Sequence, residues 1–257
     1  MPGELTFSIG TLLSFLLVMA RVGGTFVFLP FPGITNAPEM ARIVFVLGLT
    51  VALFPVWPAI NGSKVDVGLL TGWILAEAGL GVGIGLAVGL LTEAFQLAAH
   101  AIGLQAGYAY AQTVDPATQA DSSMLLIFSQ LLAGSLFFAT GLYREVIRAF
   151  ARSLEVHPPG SFLLPHADVQ RIVALGADMF TTALRLALPV IAFLALIDIA
   201  LALLGRINSQ LQLLTLAFPV KMLVTLTMLA WLLVLFSAVY RSWGGHVLGT
   251  IRATLVH

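Results

Sequence analysis

The chain has 257 residues, of which 59% are apolar and only 9% are charged, and its formal net charge is zero. Soluble domains carry roughly 25% charged residues, so this composition excludes an ordinary soluble protein and predicts an all-α integral membrane protein. The neutral net charge gives no indication of nucleic-acid binding, and the absence of cysteine excludes disulfides and thiol chemistry.

Six apolar runs, separated by proline, glycine and polar residues, predict about six long hydrophobic helices arranged as hairpins. The first run is interrupted only by Arg21, and the second begins near Arg42 and ends before Pro55. The third run continues into a more polar helix that reaches residue 104. The predicted runs are residues 7–29, 42–54, 67–91, 124–142, 179–204 and 213–239, and a short basic tail follows them.

Glycines recur every four residues in the third run, at Gly81, Gly85 and Gly89. Four residues advance a helix by slightly more than one turn, so the glycines form a slowly winding stripe on which another helix can pack closely. That helix can belong to a partner subunit or to this chain. Glu77 precedes the stripe and Glu93 follows it. Two acids in such a helix indicate either a proton or ion path, or acids that bond to neighbouring helices or lie at helix ends.

The apolar pattern changes between residues 103 and 123, whose sequence is GLQAGYAYAQTVDPATQADSS. Small residues alternate with polar and aromatic residues, and proline after Asp115 disfavours a continuous helix. Irregular polar backbone cannot face lipid, so this segment either lines the interior of a pore or forms a loop outside the membrane. An ordinary connector between two helices is an equally compatible interpretation. The residues singled out for a pore or plug loop are Gly107, Tyr108, Ala109, Tyr110, Ala111, Gln112, Thr113, Asp115, Pro116, Gln119 and Asp121.

Two opposite charges lie in the last two apolar runs. If the connecting bend is centred near Ser209, Asp198 and Lys221 lie about 11 and 12 residues from it, and therefore at nearly equal height on antiparallel helices. Each charge is costly alone in apolar surroundings, so we expect Asp198 and Lys221 to form a buried pair. Contact of each charge with a neighbouring subunit is the alternative.

No catalytic motif is present in the sequence. It lacks HExxH, GxSxG, a Walker lysine, and GxGxxG before a strand, and its five histidines are not spaced as metal ligands. We therefore expect a non-enzymatic protein without a cofactor or a metal.

Arg144, Arg148 and Arg152 recur at four-residue spacing, so they lie on one face of a helix. This face either contacts anionic lipid headgroups or a partner protein, or is exposed to solvent.

The central sequence GLQAGYAYAQTVDPATQADSS resembles the GLQ-x-G...DP...Q signature of the FliR family, membrane proteins of the flagellar export gate that have related counterparts in injectisomes. Four other places agree in the family's usual order, and the likeness covers nearly the whole chain. They are Arg21 with Pro30 and Gly33-Ile34, Pro38 with Arg42, Leu188-Pro189, and Leu204-Gly205-Arg206 followed by Gln210 and Phe218-Pro219.

The resemblance implies a non-enzymatic subunit of the flagellar type III protein export gate, located in the bacterial inner membrane within the flagellar basal body. It implies one helical domain over residues 1–257, in which a FliP-like part precedes a FliQ-like hairpin and tail over residues 178–257. The implied assembly is a helical hetero-oligomer with FliP and FliQ homologues, joined by FlhB and FlhA, that passes unfolded flagellar proteins. Residues 107–123 are implied to lie inside the channel and to help close it, although Tyr108 and Tyr110 depart from common members.

A small-solute membrane transporter is the alternative function, and it predicts an inverted repeat with interrupted helices in both halves. The chain has breaks at Pro116 and Pro189, but no convincing repeat relates its two halves. An intramembrane enzyme is a second alternative, for which the sequence offers no catalytic constellation. A gate subunit differs from both because it should copurify with several other membrane proteins.

Overall fold

The computed structural model describes residues 9–29, 39–57, 66–108, 124–158, 166–207 and 213–256. All regular secondary structure in these ranges is helical. The α-helices are α1 (Ile9–Phe28), α2 (Glu39–Ala52), α3 (Val67–Ala106), α4 (Met124–Ala139), α5 (Leu142–Val156), α6 (His166–Ile207) and α7 (Leu213–Val256), and a short 3-10 helix, Phe54–Val56, follows α2.

Several of these helices are long and apolar enough to span a membrane, which confirms the predicted all-α integral membrane fold. Three qualify alone, namely Ile9–Phe28, Val67–Ala106 and Val169–Arg206. Two bent pairs qualify as broken spans, namely Leu125–Ala139 with Leu142–Val156 and Ala217–Trp231 with Leu233–Ala253. The described ranges therefore contain three to five candidate spans, whereas the sequence predicted six long helices.

The second predicted helix accounts for part of this difference. Helix α2 has 14 residues, and at 1.5 Å per residue it is about 21 Å long, shorter than a hydrocarbon core of about 30 Å. Most of its large apolar side chains are nevertheless exposed in the isolated chain, with Met40 73% and Val44 66% exposed. An exposed apolar face on a short helix needs lipid or another protein to cover it.

Helices α3 and α7 are longer than their apolar runs. Helix α7 continues to Val256, although the sequence predicted that it ends near residue 239. Its extension places Tyr240, Trp243, Val247 and Ile251 on one helix face, and each of them is at most 6% exposed. Burial of this face stabilises the helix across two consecutive glycines that disfavour it by intrinsic propensity.

The helices form two compact units. Unit 1 contains residues 1–90, 137–176 and 244–257, and unit 2 contains residues 91–136 and 177–243. Helices α3, α4, α6 and α7 each contribute residues to both units, and neither unit is a continuous stretch of chain. The single domain over residues 1–257 and the FliQ-like hairpin over residues 178–257 stay predictions.

In unit 1, the backbone of α1 lies directly against the glycine stripe of α3. A Cβ atom added to Gly81 or Gly85 would overlap the carbonyl oxygen of Arg21 or Thr25, respectively. At Gly89 the added atom would also be crowded, because a carbonyl oxygen of α1 would lie 2.8 Å away. The helix on the stripe is thus α1 of the same chain, and the missing side chains are what allow this approach.

The end of α7 packs on α5 in the same unit. Arg252 Nη2 lies 2.6 Å from the carboxylate of Glu145. A Cβ atom added to Gly244 would lie 2.6 Å from a methyl group of Leu142, so this contact is also close. The tail that the sequence marked only as basic is therefore a packed part of unit 1.

The core of unit 2 is built on the second half of α3. Phe95 packs against Phe236 and Tyr240 of α7, with ring centroids 6.0 Å and 5.1 Å apart. Ala98 and Ile102 are buried on the same face of α3. Aromatic rings at these distances add to the stability that burial of their apolar area provides.

The contact between α1 and α3 predicts unequal effects of two similar substitutions. Gly85→Ala forces a methyl group into the α1 backbone, so we expect a loss of about 1–3 kcal/mol in stability. Gly72→Ala is the matched control, because it lies on the same helix and an added Cβ atom there has nothing within 4 Å. The measurement is thermal denaturation of the purified protein in detergent. Equal stability of the two variants would contradict the close packing of these helices.

Candidate functional site

A fully buried arginine connects three helices of unit 1. The side chains of Arg21 on α1 and Glu77 on α3 are both 0% exposed, and Arg21 Nε donates a hydrogen bond of 2.5 Å to Glu77 Oε2. Arg21 Nη1 donates to the backbone oxygen of Ser153 at 2.7 Å and to its Oγ at 3.1 Å. Arg21 Nη2 donates to the backbone oxygen of His157 at 2.8 Å. We call these four residues the arginine cluster.

The positions of these acceptors follow from helix geometry. Helix α5 ends at Val156, and carbonyl groups at the end of a helix have fewer partners than those in its interior. The carbonyl oxygen of Ser153 accepts a capping bond from the His157 N–H at 3.1 Å and has a second lone pair for Arg21. The carbonyl groups at a helix end also carry the negative end of the helix dipole, which favours a cation. Arg21 therefore satisfies the end of α5 with two nitrogens and the carboxylate of Glu77 with the third. A buried charge is tolerated when it is paired and hydrogen-bonded in this way.

A second charged cluster lies in unit 2. Lys221 Nζ on α7 lies 2.9 Å from Asp198 Oδ1 and 3.0 Å from Oδ2 on α6. Gln105 Nε2, near the end of α3, donates to the same Oδ2 at 3.0 Å. The Lys221 side chain is 11% exposed, whereas that of Asp198 is 43% exposed. The two charges thus lie together within the chain, and the carboxylate keeps an open side.

The segment singled out for a plug begins where α3 ends. Gly107 has a φ of +86°, a backbone conformation that is strained for residues with a side chain. Its N–H donates a hydrogen bond to the carbonyl oxygen of Leu104 at 3.2 Å. A Cβ atom on Gly107 would lie 2.6 Å from the ring of Phe218, which also excludes a larger residue. Partial burial raises the pKa of the Tyr108 phenol above its ordinary value. The other singled-out positions lie outside the described residues: Ala109, Tyr110, Ala111, Gln112, Thr113, Asp115, Pro116, Gln119 and Asp121.

The two acids of α3 have different surroundings. Glu77 belongs to the arginine cluster, which matches the interpretation of an acid bonded to a neighbouring helix. Glu93 is exposed, and the side-chain amide of Gln96 lies 3.5 Å from its carboxylate. Glu77 is therefore held in a dry, paired site, while Glu93 stands on the surface of the isolated chain.

The arginine face of α5 makes local contacts. Arg148 Nη1 lies 2.6 Å from Glu145 one turn earlier, and Arg144 Nε donates to the hydroxyl of Tyr143 at 2.9 Å. Arg152 is exposed. Contact of this face with lipid headgroups or with a partner stays a prediction.

The metal-binding potential and the cavity of unit 1 can be described for the ranges that the structure covers. Within the described ranges, no three His, Asp or Glu side chains are grouped so that they could hold a metal ion. An apolar cavity of about 540 Å³ lies in unit 1 between α1, α2 and α5. Its lining includes Phe26, Phe45 and Phe150 and contains no charged side chain, so it can accommodate apolar groups.

The sequence did not predict the arginine cluster. In the sequence, Arg21 was noted as the interruption of the first apolar run and as a residue shared with a family, and Glu77 was noted as an acid beside the glycine stripe. A usable signal was present, because Arg21 is the one charge of the first apolar run and Glu77 is the one charge of the third. Two lone opposite charges in apolar helices are expected to find each other, since neither can be left unpaired.

Comparison with known proteins finds similarity to bacterial export proteins. The family model described as "Bacterial export proteins, family 1" matches residues 12–244. The flagellar biosynthetic protein FliR of Bacillus subtilis is 26% identical over 94% of both chains. The FliR protein of Caulobacter vibrioides is 28% identical over 83% of this chain and 86% of its own. The surface presentation of antigens protein SpaR of Salmonella typhimurium is 29% identical over 79% of this chain and 76% of its own.

The arginine cluster predicts that Arg21 is one of the most sensitive positions of the chain. Arg21→Met leaves the buried carboxylate of Glu77 and the end of α5 without a cation, so we expect a loss of about 3–5 kcal/mol in stability. Adding Glu77→Leu removes the uncompensated charge and should restore part of this loss. Arg148→Met is the control, because the Arg148 side chain is 72% exposed and should leave stability close to wild type. The measurement is again thermal denaturation in detergent, and an Arg21→Met protein as stable as the control would contradict the prediction.

The second cluster predicts an asymmetry between its two charges. Asp198→Ala leaves a buried ammonium group, whereas Lys221→Ala leaves a half-exposed carboxylate that still accepts a bond from Gln105. We therefore expect Asp198→Ala to cost roughly 1–3 kcal/mol in stability and Lys221→Ala to cost less. The double variant should be more stable than Asp198→Ala alone, as measured by chemical denaturation in detergent. Additive, equal losses would show that the two side chains act independently.

Proposed function

Because the chain belongs to the bacterial export proteins, family 1, we propose that it is a non-enzymatic subunit of the flagellar type III protein export gate. The family match and the helical membrane fold make it a membrane component of a flagellar or related type III export apparatus. The finer proposal is that it forms part of the export channel and carries a segment that closes it. The observation that carries the proposal is the match over residues 12–244, which includes the whole central segment.

The structure supports a place for the closing segment. Helix α3 ends at Ala106, and the left-handed Gly107 then turns the chain out of the helix. The residues that follow combine aromatic and polar side chains with an Asp-Pro step, a composition that commits weakly to helix. A seal that must be displaced by a passing polypeptide cannot be a rigidly packed helix. The composition of residues 107–123 suits that requirement, and the segment follows a long helix.

Exposed apolar helix faces support the proposed partners. Within the described part of α6, the large side chains of Phe180, Leu184, Leu196 and Ile199 are 55–62% exposed. Such a surface requires lipid or other apolar helices to cover it. We propose that homologues of FliP and FliQ cover it in a helical hetero-oligomer, with FlhB and FlhA joining the assembly. The proposed location is the flagellar basal body in the bacterial inner membrane, and the cargo is unfolded flagellar proteins.

The relatives also support a non-enzymatic role. Their names describe flagellar biosynthesis, antigen presentation at the surface and a secretion apparatus, and none of these names states a reaction. A gate subunit contributes shape, hydrogen bonding and a seal. In the described residues, the two charged clusters pair their charges internally, which suits a structural role better than proton transfer.

The test uses a bacterial strain that lacks this chain and regains it in wild-type or altered form. The wild-type chain should restore export of flagellar proteins and should copurify with FliP and FliQ homologues. Removal of residues 109–113 should leave that complex assembled but make the membrane leaky to small ions, because the closing segment is shorter. Ion conductance of the cells is the measurement.

A length-matched variant separates the length of the segment from its side chains. Replacing residues 109–113 by the same number of glycine and serine residues keeps the length, so it should leak less than the deletion. An assembled and tight channel in the deletion strain would make this segment a simple connector. Normal export without the chain would refute the proposed function itself.

A further inference from the structure

The second half of α3, in unit 2, has one buried apolar face and one polar face. Its buried face carries Phe95, Ala98, Ala99 and Ile102, each at most 7% exposed. Glu93 and His100 are exposed, and Gln96 is half-buried. We call Glu93, Gln96 and His100 the α3 polar stripe.

Helical periodicity puts these three residues in one line. They follow the spacing i, i+3, i+7, so on an ideal helix they fall within about 60° of one another and extend along about 10 Å. The same geometry places the centre of the buried apolar face roughly 140° away around the helix. The polar stripe is therefore turned away from the core of unit 2, and its exposure is a consequence of the sequence pattern.

The hydrogen bonds of the stripe leave most of its capacity unused. Gln96 Nε2 reaches Glu93 Oε1 at 3.5 Å, and Gln130 Nε2 of α4 donates to Gln96 Oε1 at 3.2 Å. Among the described residues, no cation lies within ion-pair distance of Glu93, and His100 makes no hydrogen bond with any of them. A carboxylate can accept about four hydrogen bonds, and an imidazole can use both of its nitrogens. These groups are available to molecules outside the described chain.

Lipid cannot be what covers this face. A carboxylate and two further polar side chains facing hydrocarbon would each cost several kcal/mol, and polar residues in membrane helices face a bundle interior or a water-filled cavity. Dry packing against a partner would require that partner to supply a cation or a hydrogen-bonding group to each of the three side chains, as Arg21 does for Glu77. Water can donate to the carboxylate, and it can both donate to and accept from the amide of Gln96 and the imidazole of His100. A wet environment therefore satisfies all three side chains at once.

We propose that the α3 polar stripe, with Gln130 beside it, lines the water-filled path of the exported polypeptide. The inference rests on the proposed function and deepens it, since it assigns a helix face to the channel. An unfolded polypeptide presents N–H and C=O groups along its backbone, and amides and imidazole can accept from the N–H groups and donate to the C=O groups. The stripe ends seven residues before Gly107, so the lining leads along one helix toward the proposed closing segment.

The test is chemical labelling of single cysteines in the assembled complex. Because the wild-type chain has no cysteine, each introduced thiol is the one reactive site on this subunit. We introduce Gln96→Cys and His100→Cys and treat cells with a small, charged, membrane-impermeant thiol reagent. Two controls lie in the same unit: Ala98→Cys, at a position that is 4% exposed, and Leu184→Cys, at an apolar position that is 55% exposed in the isolated chain.

The stripe thiols should react about tenfold faster than both controls, because thiols react as thiolates and need access to water. A flagellar protein fused to a stably folded domain, which stops during export, should then slow the reaction of the stripe thiols severalfold and leave Leu184→Cys unchanged. The inference would be overturned if the stripe thiols react as slowly as Ala98→Cys, or if the stopped substrate does not change their reaction rate. Export is measured in the same strains. Export that depends on the chain without stripe labelling refutes only this inference, whereas export that does not need the chain refutes the proposed function.

Discussion

The buried guanidinium of Arg21 is the interaction on which unit 1 depends. It binds three elements at once, because α1 carries it, Glu77 of α3 neutralises it, and the last carbonyl groups of α5 accept its remaining N–H groups. The glycine contact between α1 and α3 makes this possible, since Gly81 brings the α3 backbone against Arg21 itself. Charge pairing and backbone packing therefore constrain each other: neither helix can move away without exposing an unpaired charge in an apolar core.

The arginine cluster and the Asp198–Lys221 pair show two ways to place charge among apolar helices. The Arg21–Glu77 pair is closed, with both side chains fully buried, whereas Asp198 beside Lys221 keeps nearly half of its side chain exposed. A closed pair fixes helices within a unit. An open carboxylate on an apolar helix can accept further hydrogen bonds, so Asp198 leaves α6 able to accept from donors on a neighbouring molecule.

Most helices could be predicted from the sequence, because apolar runs bounded by proline and glycine carry that information locally. Counting residues from a bend placed Asp198 and Lys221 at one height, and in the structure their charged atoms lie 2.9 Å apart. The pairing of Arg21 with Glu77 could not be counted in this way, since no single bend relates them. The glycine spacing predicted a close helix but carried no information about which helix. The extension of α7 was missed because burial, rather than local propensity, stabilises it.

The arginine cluster also orders events in time as the chain is made. Glu77 follows Arg21 by 56 residues, and Ser153 and His157 follow it by 132 and 136. At a synthesis rate of about 5–20 residues per second, Glu77 is made several seconds or more after Arg21. Ser153 and His157 are made after an interval more than twice as long. Before Glu77 is made, a membrane segment carries a cation that its own chain cannot yet neutralise. Until the end of α5 is made, the N–H groups of Arg21 that Glu77 does not occupy must find other acceptors, such as water.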